Sequence, residues 1–121
     1  MPKVLIVDDS PAQLYSLKRM VEQGGMETVT ADCGEMAIQL ATSEHPSVIL
    51  MDVVMPGMSG FQATRKLTRD VTTRDIPVIF VTSKAEESDR VWGMRQGARD
   101  YITKPVNANH LLSVIRQAMA A

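Results

Sequence analysis

The stretch VLIVDDSP, residues 4–11, decides the fold of this chain. Its four consecutive apolar residues do not alternate with polar ones, which predicts a strand covered on both faces, as in a parallel sheet. Ser10 and Pro11 then predict the N-cap and first turn of a helix. Two further apolar runs, residues 48–51 and 78–81, have the same character as residues 4–7. The chain is therefore expected to be built on a buried parallel sheet.

Segments with helical periodicity separate these apolar runs. After Pro11 come a helix ending near residues 24–25, a weaker strand over 28–31, a helix that stops before Pro46 and another that follows residues 59–60. The second half predicts a helix over 86–96, a short strand at 101–102 and a last helix that ends essentially at Ala121. Five strands that alternate with five helices predict a doubly wound α/β fold. We expect one domain over residues 1–121, with no output domain.

The composition excludes several classes of partner and location. The 121 residues carry a formal net charge of −1 with neither sign concentrated, whereas nucleic acid or anionic lipid would call for a basic excess. Cys33 is the single cysteine, so no internal disulfide is possible and a reducing compartment fits. The N-terminal apolar run of four residues is too short for a signal peptide or a membrane span. We expect a cytoplasmic monomer that binds no nucleic acid and does not insert into membranes.

Polar side chains follow four of the five predicted strands. Asp8 and Asp9 end the first strand, Asp52 the third and Thr82 the fourth, and Lys104 follows the fifth. Ligands of such folds bind where the carboxyl ends of neighbouring strands meet. These side chains are therefore expected to share one site.

Three carboxylates in one crevice repel one another unless a cation neutralises them. Because no His or Cys lies beside them in the sequence, an all-oxygen site for a hard ion is expected, and Mg²⁺ fits best. A carboxylate that faces Mg²⁺ can attack a phosphorus atom and form an acyl phosphate. Lys104 would supply a cation to one phosphoryl oxygen, and Thr82 would supply a hydroxyl donor to another.

The motifs of the chain resemble those of CheY-like response-regulator receiver domains over its whole length. They are Asp8-Asp9-Ser10, Met51-Asp52, Met55-Pro56-Gly57, Thr82 and Lys104-Pro105. The resemblance implies a sheet in the order 2-1-3-4-5 and phosphorylation of Asp52 by a CheA-like sensor histidine kinase. It also implies that Asp9 and Asp52 bind the metal directly together with the Val54 carbonyl, and that Asp8 helps through water. Lys104 would contact the phosphoryl group, and the bond before Pro105 would be cis.

The resemblance also implies a switch. Phosphorylation would draw Thr82 inward, and Tyr101 would rotate into the vacated space. The surface formed by the fourth helix, fifth strand and fifth helix would then change and bind a downstream protein, because the phosphoryl group favours one of two packings. Val54 and Lys84 occupy positions that tune the lifetime of the acyl phosphate in this family, and an apolar Val54 predicts slow self-dephosphorylation.

Two segments resemble a narrower group, the PilH-type single-domain regulators of type IV pilus chemosensory systems. They are GFQATR at 60–65 and VWGMRQGARDY at 91–101. The resemblance implies a role in twitching motility. Trp92 has two open interpretations, because tryptophan is either a core residue or, when exposed, an anchor for a partner protein.

The sequence leaves one alternative function open and disfavours two others. Within signalling, the chain could instead be a phosphate sink or relay that drains a shared kinase. A small Mg²⁺-dependent phosphatase with an Asp nucleophile is disfavoured, since haloacid-dehalogenase-like enzymes place a second acid where this chain has Val54. A flavodoxin-type phosphate loop is disfavoured because residues 8–11 offer two acids and no glycine. We expect no enzymatic activity beyond the chain's own phosphorylation and dephosphorylation.

Overall fold

A computed structural model describes residues 1–120, and its elements alternate between strand and helix as predicted. The strands are β1 (Lys3–Val7), β2 (Glu27–Ala31), β3 (Val48–Met51), β4 (Val78–Thr82) and β5 (Asp100–Thr103). The helices are α1 (Pro11–Gln23), α2 (Gly34–Glu44), α3 (Gly60–Arg69), α4 (Glu87–Arg95) and α5 (Ala108–Ala120). The predicted end of the last helix, Ala121, lies outside the described residues. None of the helices within residues 1–120 is long and apolar enough to cross a membrane.

The five strands form one parallel sheet in the order β2-β1-β3-β4-β5, which confirms the predicted order. The three non-alternating apolar runs are β1, β3 and β4, the central strands of the sheet. Alternate residues of these strands enter two apolar clusters, one with α1 and α5 and the other with α2 and α3. The sheet is therefore covered on both faces, which is why its strands are continuously apolar.

Capping residues set the helix boundaries that the sequence periodicity placed only approximately. The Ser10 side chain accepts a hydrogen bond from the Gln13 N–H at the start of α1, and Ser59 and Gln62 form a capping box at α3. The predicted helix 86–96 is shortened by one residue at each end, since Glu86 is the N-cap and Gln96 the C-cap of α4.

The register of β1 and β3 places the two strand ends side by side. Val7 pairs with Met51, and the Asp52 N–H donates a 3.0 Å hydrogen bond to the Val7 carbonyl. On the other side of β1, the Asp8 N–H donates to the Ala31 carbonyl at 3.1 Å. Backbone hydrogen bonds alone thus place the residues that follow β1 and β3 at the same edge of the sheet.

Candidate functional site

The carboxylates of Asp8, Asp9 and Asp52 meet at the carboxyl edge of the sheet. One carboxylate oxygen from each lies within 4.8 Å of the others. Asp8 and Asp52 are buried, whereas Asp9 is exposed and leaves the cluster open to solvent on one side. The structure therefore brings these three acids together as predicted, and their role as metal ligands stays a prediction.

Lys104 supplies a positive charge to this cluster. Its Nζ lies 2.8 Å from Asp8 Oδ2 and 3.9 Å from Asp52 Oδ2. The peptide bond between Lys104 and Pro105 is cis, as predicted. In this structure the lysine forms its close ion pair with Asp8, and its predicted contact with a phosphoryl group stays a prediction.

The surroundings of the Asp52 carboxyl disfavour its charged form. Burial raises the pKa of the Asp52 carboxyl, and the nearby charge of Asp8 raises it further. The Lys104 ammonium, the Val53 N–H that donates to Oδ1 at 2.8 Å and the Thr82 hydroxyl all lower this pKa, but they do not offset the increase. The cluster therefore has more negative charge than Lys104 neutralises.

Thr82 and Tyr101, the predicted switch residues, are both buried, and both form hydrogen bonds with the backbone of Lys84. The Lys84 N–H donates to Thr82 Oγ1 at 3.2 Å, and Tyr101 Oη donates to the Lys84 carbonyl at 2.7 Å. Burial, followed by the charges of Asp89 and Asp52, raises the pKa of Tyr101 to about 12. The predicted movement of these two side chains on phosphorylation stays a prediction.

Two residues singled out by the sequence lie at the surface. The Val54 side chain is 58% exposed beside the acidic cluster. Trp92 is 48% exposed on α4, so its interpretation as a core residue is wrong. The buried residue of α4 is Gly93, because it, and not Trp92, lies on the side of the helix that faces the sheet.

Sequence reasoning missed three supports of the site that consist of backbone or of a glycine. The Ser10 N–H donates to Asp8 Oδ1 at 2.9 Å, and the backbone N–H and carbonyl of Lys84 bind the two switch residues. A β-carbon at Gly60 would lie 1.9 Å from the Asp52 carbonyl oxygen. Backbone groups are the same in every residue, so only the fold reveals which of them contact a functional side chain.

Comparison with known proteins agrees with this geometry. The sequence model of the family described as "Response regulator receiver domain" matches residues 4–116. The chain belongs to this receiver-domain family.

This receiver domain is similar to known members of the family over nearly its full length. It is 53% identical over 120 residues to Protein PilH of Pseudomonas aeruginosa, covering 99% of each chain. A solved putative response regulator from Chloroflexus aurantiacus has a TM-score of 0.95 at 27% identity, covering 99% of this chain and 98% of that one. The receiver domain of sensor histidine kinase PA1611 from Pseudomonas aeruginosa, solved with a magnesium ion coordinated in its active site cleft, has a TM-score of 0.92 at 26% identity, with the same coverage.

Proposed function

We propose that this receiver domain is a phosphorylation-gated response regulator that accepts a phosphoryl group on Asp52. The observation that carries the proposal is the convergence of Asp8, Asp9, Asp52 and Lys104 at one sheet edge. The donor is the phosphohistidine of a CheA-like sensor histidine kinase. The chain catalyses only its own phosphorylation and dephosphorylation, and it acts in the cytoplasm as a monomer.

The two oxygens of Asp52 have different surroundings. The Val53 N–H holds Oδ1, which leaves Oδ2, 3.9 Å from the Lys104 ammonium, as the oxygen that attacks. A bond forms between Oδ2 and phosphorus, the phosphorus–nitrogen bond of the phosphohistidine breaks, and the imidazole nitrogen leaves with its electron pair. Lys104 then faces the new phosphoryl oxygens as a cation, and Thr82 offers its hydroxyl to one of them.

The residues of the cluster fit a magnesium ion. Three carboxylates supply only oxygen donors, as a hard divalent cation prefers, and Lys104 does not neutralise them all. Asp9, Asp52 and the Val54 carbonyl would hold the ion directly, and Asp8 would hold it through water. When bound, Mg²⁺ supplies positive charge to the carboxylates and to the phosphoryl oxygens. The magnesium ion in the solved receiver domain of PA1611 supports this assignment.

The similarity to PilH supports a place in a type IV pilus chemosensory system, with an output in twitching motility. Signalling would proceed by contact of a downstream protein with the surface of α4, β5 and α5. Trp92 is exposed on α4 and would anchor the partner.

The test of the acceptor is intact-mass spectrometry after incubation with acetyl phosphate, with and without Mg²⁺. We expect the gain of one phosphoryl group, dependent on Mg²⁺, in the wild type and in the control Asp70→Asn, whose carboxylate is exposed. Asp52→Asn is expected to gain none. No gain in the wild type, with acetyl phosphate and with a candidate kinase, would contradict the proposal.

A phosphate sink or relay is the alternative use of the same chemistry. Kinase-transfer kinetics in the presence of a second regulator from the same system distinguish the two. Absence of competition for the kinase would exclude the sink.

A further inference from the structure

Gly93 is the position at which α4 contacts the ring of Tyr101. The glycine is buried, whereas Trp92 and Met94 on either side of it are exposed. A β-carbon at position 93 would lie 3.1 Å from both Cδ2 and Cε2 of Tyr101 and 3.2 Å from Cε1 of Phe61. Such contacts are tighter than nine in ten real β-carbon contacts. The Tyr101 ring therefore fits in this space because residue 93 is a glycine and has no side chain.

The Tyr101 ring has little room to move away from position 93. The Phe80 ring, which is fully buried, lies on it with centroids 5.7 Å apart. Phe80 is in turn held by Phe61, whose ring meets it edge-on at 5.3 Å. Since interiors are packed as densely as crystals, a methyl group at position 93 displaces either the Tyr101 ring or α4 itself.

Glycine at this position has a cost that packing must offset. In a helix interior glycine is about 1 kcal/mol less favourable than alanine, so helix stability alone would select alanine at position 93. The φ angle of Gly93 is not positive, so the backbone conformation does not require glycine either. The remaining reason for glycine at position 93 is the space that it leaves for the Tyr101 ring.

We propose that Gly93 is a positioning residue that admits Tyr101 to its buried place and, through Tyr101, orders the loop between β4 and α4 beside the phosphorylation site. Buried Tyr101 donates to the Lys84 carbonyl at 2.7 Å, and the Lys84 N–H donates to Thr82 Oγ1 at 3.2 Å. Thr82 ends β4, and β4 pairs with β3, the strand that Asp52 directly follows. The link from this chain of contacts to phosphoryl transfer rests on the proposed function.

The position of the ring can be measured without phosphorylation. The chain has two tyrosines, and Tyr15 is 63% exposed, so nitration by tetranitromethane with peptide mass spectrometry has an internal standard. We expect Tyr15 to react and Tyr101 to be protected in the wild type. Gly93→Ala should raise the nitration rate of Tyr101 about fivefold or more, because the equilibrium between buried and exposed ring shifts.

Gly34→Ala is the matched control. Its β-carbon would meet Met58 at 3.1–3.2 Å, an equally tight contact, but one with a flexible side chain. We expect this variant to leave Tyr101 protected. Protection of Tyr101 in Gly93→Ala equal to that in the wild type would overturn the proposal.

The effect on the site is measured as the initial rate of phosphorylation by acetyl phosphate with Mg²⁺. Gly93→Ala should slow this reaction about fivefold, within the usual range of coupling between sites. In a Tyr101→Ala background the same substitution should change the rate less than about twofold, since additivity fails only where residues act on each other. An equal slowing in both backgrounds would show that Gly93 does not act through Tyr101 and would overturn the proposal.

Failure of the proposed function and failure of Gly93→Ala to fold can each be distinguished from failure of this proposal. If the wild type takes up no phosphoryl group, the proposed function fails, while nitration still decides whether Gly93 positions the ring. If Gly93→Ala does not fold, the double variant with Tyr101→Ala is expected to fold, because the Tyr101 ring is gone and the Phe61 ring can move into the space that it leaves. Failure of this double variant to fold would also overturn the proposal.

Discussion

Replacing Gly60 with alanine tests how closely α3 approaches the backbone that carries Asp52. The new β-carbon would lie 1.9 Å from the Asp52 carbonyl oxygen, 2.8 Å from its carbonyl carbon and 2.9 Å from Val53 Cα. Real β-carbons essentially never come within 3.0 Å of a non-bonded atom. Either the N-terminus of α3 or the backbone that follows β3 must therefore shift by more than 1 Å. All three contacted atoms belong to the backbone, so no rotamer change can relieve the clash.

The cost follows from the two interactions that the shift disturbs. Overpacking a dense core costs about 1–3 kcal/mol. The shift also strains the hydrogen bond from the Gly60 N–H to the Val53 carbonyl, 2.8 Å long, and losing such a bond costs about 1 kcal/mol. We expect Gly60→Ala to lower the free energy of unfolding by about 3 kcal/mol, which a typical domain with about 5–15 kcal/mol of stability survives.

The assay is urea unfolding with Gly34→Ala as the matched control. Both glycines are the first residue of a helix, but a β-carbon at position 34 would meet side-chain atoms of Met58 at 3.1–3.2 Å and not backbone atoms at 1.9–2.9 Å. The control should therefore lose less than about 1 kcal/mol. Equal stability of the two variants would refute the argument that α3 packs against the Asp52 backbone. Since displacement of a reacting group by about 1 Å costs on the order of a hundredfold, Gly60→Ala should also phosphorylate at least about tenfold more slowly.

Three further predictions concern buried polar groups. Thr64 Oγ1 is buried without a hydrogen-bond partner among the described residues, so Thr64→Val should raise the free energy of unfolding by about 1 kcal/mol in urea titrations. Lys104→Met leaves the buried Asp8 charge unpaired and should cost about 3 kcal/mol, and adding Asp8→Asn should recover most of this loss; a double variant no more stable than Lys104→Met would contradict the ion pair's role. The pKa of Asp52 is raised in the native state, so in the presence of a chelator the native protein binds the proton of this carboxyl more tightly than the unfolded chain does. The free energy of unfolding should therefore fall as the pH rises through the native pKa of Asp52. Asp52→Asn should flatten this dependence in urea titrations over a pH series, and an unchanged slope would count against the electrostatics described for Asp52.

The sequence by itself determined the elements of the fold and the edge at which the site lies. The runs at 4–7, 48–51 and 78–81 are short, β-branched and apolar without alternation, and among strands only those covered on both faces tolerate such a pattern. The acids and Lys104 follow strands and Thr82 is the last residue of one, and parallel strands bring their carboxyl ends to one edge. The strand order was predicted from the resemblance to a family, because the apolar pattern of a strand does not determine which strands lie beside it in the sheet.

Only the tertiary structure decided which groups contact one another at that edge. It pairs Lys104 more closely with Asp8 than with Asp52, and it links Thr82 and Tyr101 through the backbone of Lys84. It also places Trp92 outside and Gly93 inside on the same helix. These contacts depend on distances of a few ångströms between residues remote in the chain, which the pattern of residue types along the sequence does not determine.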